Sequence, residues 1–394
     1  LAQETIAAQM ARLGDELRPL QECVGQVLRQ DIFPERDNPP FDRVCMDGIA
    51  IDSRSLAAGN RSFAIQATQG AGEPAQQLVA LDGAVEVMTG AVVPGGTDCI
   101  IPQEEYVEAQ GTARLKDGAT GAPFRNIQRR GEDSRPGIVM LKRGVRLGAP
   151  EIAVAASAGL ANVRVSRQPR FMIVSTGDEL IEPGRPITDY QVRRSNVYSI
   201  VAALRGRHLE DVQNDHIADD EALLRERLQH HLNTRDVLIL SGGVSKGKFD
   251  YVPKVLKSLG VREVFYQVAQ RPGMPMWFGI SEAGCAVFGL PGNPVATLVC
   301  LIRYVIPAAA AAMGAHQAPA ERIALAEAVT VGRATFAYFL PVAVQYDAGG
   351  SRALPRRTNG PGDFLALTKT DGFVELPPSA SGYPEGFVAD LYRW

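Results

Sequence analysis

Three short polar turns hold the residue types that bind anions and cations. They are Ser241-Gly242-Gly243, Ser175-Thr176-Gly177-Asp178-Glu179 and Pro291-Gly292-Asn293-Pro294. Each ends a short apolar run: Val237 to Leu240, Phe171 to Val174 and Ala286 to Leu290 respectively. Runs of that length read as strands buried on both faces. After the first turn, Phe249 to Leu259 reads as a helix stopped by Gly260, and after the third comes a long apolar helix. Strand, glycine turn and helix in that order aim main-chain N–H groups at a bound phosphate or other oxyanion. Turns at the carboxyl ends of neighbouring strands describe the crevice in which open α/β sheets bind ligands. Carboxylates in two of the three stretches add the means to recruit a metal ion.

Two better-known phosphate motifs do not fit. Gly242 to Lys248 spells GxxxxGK, but Phe249 follows where a Walker loop needs Ser or Thr for magnesium. No GxGxxG stands at a strand-to-helix turn, so the usual dinucleotide fingerprint is absent. A net charge of −3 and a pI near 6.1 give no support to bulk nucleic-acid binding. The stretch from Ala286 to Ala312 is interrupted by Gly289, Pro291, Gly292, Asn293, Pro294 and Arg303, which speaks against a membrane span. Leu1 to Met10 carries Gln3 and Glu4 and no basic region, unlike a signal peptide. Cys23, Cys45, Cys99, Cys285 and Cys300 are widely spaced without a CxxC, as expected of reduced thiols in the cytoplasm rather than a zinc site.

The elements that must position these turns follow from periodicity. Ile6, Met10, Leu13 and Leu17 recur at helical spacing, and a second helical stretch is expected over Leu20 to Leu28. Asn38-Pro39-Pro40-Phe41 reads as a rigid extended connector. Beyond it SFAIQA, LVAL, VEVM, DCIIP and EEYVEA alternate as short strands between glycine turns. Glu151 to Leu160 returns to helix after Pro150. Asn196 to Leu204 and Asp219 to Leu232 are helices of βαβ units. After Ala315, the stretches ERIALAEAV, AYFLPVAVQYD, DGFVELPP and GFVADLYRW predict a compact β domain. The expected fold is multidomain α/β and β. A helix-rich N-terminal part (1–41 and 126–166) is interrupted by a β insert (42–125). A doubly wound α/β domain (167–314) and a C-terminal β-barrel-like domain (315–394) follow.

PPFDRVCMDGIAI, VMTGAVVPGGTDCIIPQEE, NIQRRGEDSRPG, VSTGDEL, SGGVSKGKFDY, RPGMP and GLPGNPV occur in that order. Together they resemble the molybdopterin molybdenumtransferase family, whose eukaryotic relatives include the C-terminal part of gephyrin. The resemblance runs nearly end to end. It implies a four-part elongated protomer that dimerises with a site shared between subunits. It also implies a reaction in which adenylylated molybdopterin and molybdate give the molybdenum cofactor and AMP. The pathway's adenylyltransferase becomes an expected partner, magnesium an expected cofactor, and neither nucleic acid nor membrane is expected.

The same resemblance assigns roles to single residues. Asp47 in MDG, Thr89 in MTG, Asp133 in RGED, Glu179 in GDEL and Asp250 in FDY become the polar residues of the site. Glu179 and Asp250 are placed near the metal and the pyrophosphate, and Asp47 and Thr89 are brought from the β insert of the partner subunit. Ser175, Thr176, Gly177, Ser241, Gly242, Gly243, Ser245, Pro291, Gly292, Asn293 and Pro294 form the anion-binding turns, with Arg271 as an anion clamp. Each has a plainer reading. Asp47 before Gly48 fits a turn aspartate, the Arg129-to-Asp133 charges fit a solvated run, and Asp219-Asp220 fit a helix cap. Met274 stands where the family has a second lysine, and Ala296 where many relatives carry serine. Gln128 and Arg194 replace an expected Arg and Asp. These departures raise an alternative: a weakly active paralogue that binds or delivers molybdopterin, or one that handles another oxyanion such as tungstate.

Overall fold

The computed structural model describes residues 1–242, 251–348, 350–360 and 362–394. Gly243, Ser245 and Asp250, together with Lys246 and Lys248, lie outside the described residues. The chain forms two compact units, one of residues 1–29, 144–149 and 162–394, the other of residues 30–143 and 150–161.

In the first unit, a six-stranded sheet runs in the order Val212–Ile217, Phe171–Thr176, Val237–Ser241, Ala286–Leu290, Trp277–Ile280, Arg262–Tyr266. The first four are parallel and the last two antiparallel. Every residue of Phe171–Thr176, Val237–Ser241 and Ala286–Leu290 is buried, as continuous apolar runs require. Successive side chains face opposite ways. Phe171, Ile173, Val237, Ile239 and Phe288 therefore pack with Ile200, Leu204 and Leu301 on one face. Met172, Val174, Leu238, Leu240 and Val287 pack with Leu224, Leu228 and Val255 on the other.

A continuous helical span, Pro294–Ala312, is long and apolar enough to cross a membrane. Its flank is spent on the core instead, since Val295, Val299, Cys300, Leu301, Val305 and Ala309 are all buried. The span changes to a π turn over Leu301–Val305. Pro307 accounts for that change, because its ring lacks an N–H and crowds the carbonyl four residues back.

Beside the short strand Gln270–Arg271, which pairs with the first of them, the C-terminal sheet orders Ala337–Asp347, Gly350–Pro355, Glu321–Leu325, Val388–Arg393 and Gly372–Leu376. The last pairs back onto the first and closes a ring, so no long edge is left to recruit another chain. In the second unit the sheet order is Cys99–Pro102, Gly48–Ile51, Gly83–Val87, Ser62–Gln69, Thr112–Leu115, Tyr106–Ala109.

Several sequence expectations are corrected. The first helix covers only Ala2–Gln9, and Leu17 lies 62% exposed in the strand Asp15–Pro19, separated by Gly14. Leu20 to Leu28 holds just a 3-10 turn, Leu20–Glu22. Cys23 caps it, and Gly25 follows at φ +76, where an added Cβ would fall 2.2 Å from His208 Cγ. Val27 and Leu28 are buried because they bridge to Arg146 and Val165, not because they share a helix face. LVAL forms no strand, and Val79 and Leu81 are exposed. Elsewhere the helices Ser195–Arg205, Glu221–Thr234, Ala149–Ser157 and Tyr251–Ser258 lie within a few residues of expectation.

Candidate active site

Asn293 shows how sequence builds the site locally. Its side-chain oxygen accepts from Ala296 N–H at 3.2 Å, capping a helix whose first residue is Pro294. Beneath it the fully buried Thr297 hydroxyl donates to the Pro291 carbonyl at 2.6 Å. The PGNP turn is thus pinned from below. Gly242 is held at φ +92, a conformation open to glycine, and the Cβ of any side chain at Gly292 would meet Gly242 Cα at 3.7 Å.

The two glycine turns are cross-linked by a residue the sequence reading passed over. Asn196 Nδ2 donates to Ser241 Oγ at 3.0 Å and to the Gly292 carbonyl at 2.9 Å, with Thr297 Oγ1 at 3.3 Å. A polar amide in the first turn of the helix Ser195–Arg205, one residue before the buried Val197, is the signal that pointed to it.

Around these turns lies a first cavity of about 450 Å³. Ser175, Thr176 and Glu179 line one side, Ser241 and Gly242 another, Gly292 and Pro294 the third. The three turns expected to meet do meet. Gly177 sits behind them at φ +127, where a Cβ would clash at 2.5 Å with the Glu179 carboxylate folded over it. Pro291 is buried and supports the turn without lining the cavity. Arg193 and Arg194 bring positive charge to the lining.

Arg271 is not in this cavity. It lines a second one of about 790 Å³, together with Met274, Asn293, Arg333, Arg356 and Arg357. No carboxylate lines it, and none of these arginines forms an ion pair among the described residues. Phe336 and Tyr338 add aromatic surface, with the Arg333 guanidinium 5.3 Å from the Phe336 ring centroid. The PGNP turn is the wall between the two: Gly292 and Pro294 face the first cavity, Asn293 and Val295 the second. Arg333, Arg356 and Arg357, like Gly362 and Phe364 in the first cavity, come from the C-terminal β domain, for which no site residue is expected from sequence. Adjacent Arg356-Arg357 in a turn sequence was the available signal. Ala296 is buried and lines neither cavity, so the missing serine hydroxyl is not lost from either lining.

The second unit carries its own constellation. Thr89 donates to Asp47 Oδ1 twice, from its backbone N–H at 2.6 Å and its hydroxyl at 2.7 Å. Those bonds, the hydroxyl's foremost, hold the Asp47 carboxyl below its ordinary range. Asp133 accepts from Gln128 Nε2 at 2.9 Å, and Gln128 Oε1 in turn accepts from Arg43. Asp220 caps the helix Glu221–Thr234 by accepting from Leu223 N–H at 2.8 Å, in keeping with its plainer reading.

Among the described residues no group of three or more His, Cys, Asp or Glu could hold a metal ion alone. Glu179 meets a narrower requirement. Its carboxylate borders the first cavity, and magnesium is commonly held by one or two carboxylates plus substrate phosphates. Asp250, the other expected ligand, falls outside the described residues.

Comparison with known proteins covers nearly the whole chain. Residues 1–159 match the MoeA N-terminal region (domain I and II), 172–311 a "Probable molybdopterin binding domain", and 325–394 the MoeA C-terminal region (domain IV). A protein of Synechocystis sp. named molybdopterin molybdenumtransferase is 37% identical over 398 residues, covering 100% of this chain and 98% of the relative. One of the same name from Staphylococcus epidermidis is 30% identical, covering 94% and 89%. The crystal structure of a molybdopterin biosynthesis moeA protein from Pyrococcus horikoshii superimposes with a TM-score of 0.83 at 25% identity, covering 100% of this chain and 98% of that one.

Proposed function

This chain belongs to the molybdopterin molybdenumtransferase family, transferases of molybdenum cofactor biosynthesis, and from that premise we propose that it inserts molybdate into adenylylated molybdopterin and releases AMP. The observation that carries this reading is the pair of unlike cavities on either side of one turn. The first offers glycine turns, hydroxyls and Arg194 to a phosphate bridge. The second offers four arginines and aromatic rings, with no lining carboxylate among the described residues, to a dianion and a planar ring system. A substrate that joins a nucleotide phosphate to a pterin dithiolene has ends that match each.

Glu179 is the residue that would hold magnesium against the bridging phosphates, and the ion would there offset charge on the leaving AMP. Asp47 and Thr89 form a ready-made hydrogen-bonded pair. In this reading the protein is a cytoplasmic homodimer of four-part protomers, in which that pair completes the crevice of the other subunit. Its substrate arrives from the pathway's adenylyltransferase. The test is direct: purified protein with adenylylated molybdopterin, molybdate and magnesium should yield AMP stoichiometric with cofactor formed. Tight binding of the substrate without AMP release would overturn the reading.

Met274 in the second cavity motivates a second reading, a slow paralogue that binds or delivers the pterin or takes another oxyanion. Replacing Met274 by lysine should then raise turnover, whereas unchanged turnover removes the basis for that alternative.

A further inference from the structure

Arg194 is a cation nine-tenths withdrawn from solvent, at 9% exposure, on the lining of the first cavity. Taking a guanidinium out of water demands compensation. Its fixed partners are neutral: Nε donates to Ser175 Oγ at 2.9 Å, and Nη2 reaches Asn214 Oδ1 at 3.4 Å and the Asp215 carbonyl at 3.3 Å. Its one counter-ion among the described residues is Glu182, to which Nη1 donates. Glu182 differs from the other partners. Its side chain is 42% exposed, it sits on the loop between the short strands Leu180–Ile181 and Val192–Arg193, and it also accepts from the half-exposed Tyr198 hydroxyl. That bond, ahead of Arg194's charge, keeps the Glu182 carboxyl below its ordinary range, so it stays an anion at neutral pH.

The geometry points to Arg194 as the anchor for the substrate's phosphate and to Glu182 as a resident counter-ion that the phosphate displaces. Ser175 and the Asp215 carbonyl hold the guanidinium in place while the anion beside it is exchanged. One negative charge replaces another, so the buried cation is compensated before and after binding. Glu182 keeps Tyr198 as a partner when it leaves. The incoming phosphate gains the fork geometry of arginine beside the main-chain amides of the glycine turns. This inference rests on the reading of the first cavity as the phosphate site.

Displacement fixes the signs of two substitutions, and a purely structural ion pair would not give the same signs. AMP and adenosine serve as probes for titration calorimetry on the full chain. Arg194→Ala should weaken AMP roughly tenfold or more while leaving adenosine little changed. Glu182→Gln should tighten AMP, because the phosphate no longer competes with a carboxylate. Arg194→Lys should recover part of the loss, and the double variant should match Arg194→Ala. Circular dichroism and melting curves confirm that each variant is folded. If both single variants weaken AMP together, or neither changes it, the anchor assignment is overturned while the cavity's role stands. If the wild-type protein binds no AMP, the phosphate-site reading fails and the anchor with it.

Discussion

Asp47 carries its information in a single oxygen. Two donors from Thr89 converge on Oδ1 and favour the charged carboxyl. The pair's contribution is therefore present above the ordinary carboxyl pKa and lost as pH falls through the depressed one. Thr89→Val should move the Asp47 titration back up toward the ordinary carboxylate value, which carboxyl NMR reads directly. It should also lower AMP release if the pair serves the reaction. Thr297 makes a different demand. Removing its buried hydroxyl in Thr297→Val leaves the Pro291 carbonyl without its 2.6 Å donor. The expected cost is about 1–3 kcal/mol in urea unfolding, with weaker AMP binding because the turn above is no longer pinned.

At the level of elements, Asp236 joins the loop before the strand Phe171–Thr176 to the strand Val237–Ser241 that it introduces. Arg167 donates to both its oxygens at 2.7 and 2.9 Å, and Arg170 to both at 3.1 Å. Burial pushes the Asp236 carboxyl up, but the two arginines overcome it and hold the group well below its ordinary value. A depressed folded pKa means stability that is full above the ordinary carboxyl pKa and declines as pH falls below it. Asp236→Asn should cost about 2 kcal/mol at neutral pH, less than a fully dry pair because Arg170 is half-exposed. The variant's unfolding free energy should also fall less than the wild type's between pH 5 and pH 2. Equal pH slopes in the two proteins would refute this role.

For the whole molecule, the proposed homodimer, with a site shared across its twofold axis, would have a quantitative consequence. Asp47→Asn and Glu179→Gln chains should each be inactive alone. Mixed and re-equilibrated, half the dimers would carry one intact site, restoring roughly a quarter of wild-type activity. No recovery would place both residues' contributions within one chain or deny the dimer. The sequence showed the central sheet clearly because its strands, buried on both faces, leave unbroken apolar runs from Phe171, Val237 and Ala286. It misled at the N-terminus. Val27 and Leu28 are apolar in a stretch expected to be helical, yet they are buried at long-range bridges to Arg146 and Val165 that no local period records. The glycine turns were legible through their residue types. Arg333 and Arg356 of the second cavity were not, since they are far from Arg271 in sequence and meet it only where Gln270–Arg271 pairs with the strand Ala337–Asp347.

Residues 292–295 partition the two cavities, Gly292 and Pro294 on one side and Asn293 and Val295 on the other. A four-residue wall whose alternate members touch different tenants cannot shift for one without being felt by the other. If the proposed substrates occupy the two cavities, thermodynamic linkage makes the effect mutual: by whatever factor molybdate alters the grip on AMP, AMP must alter the grip on molybdate.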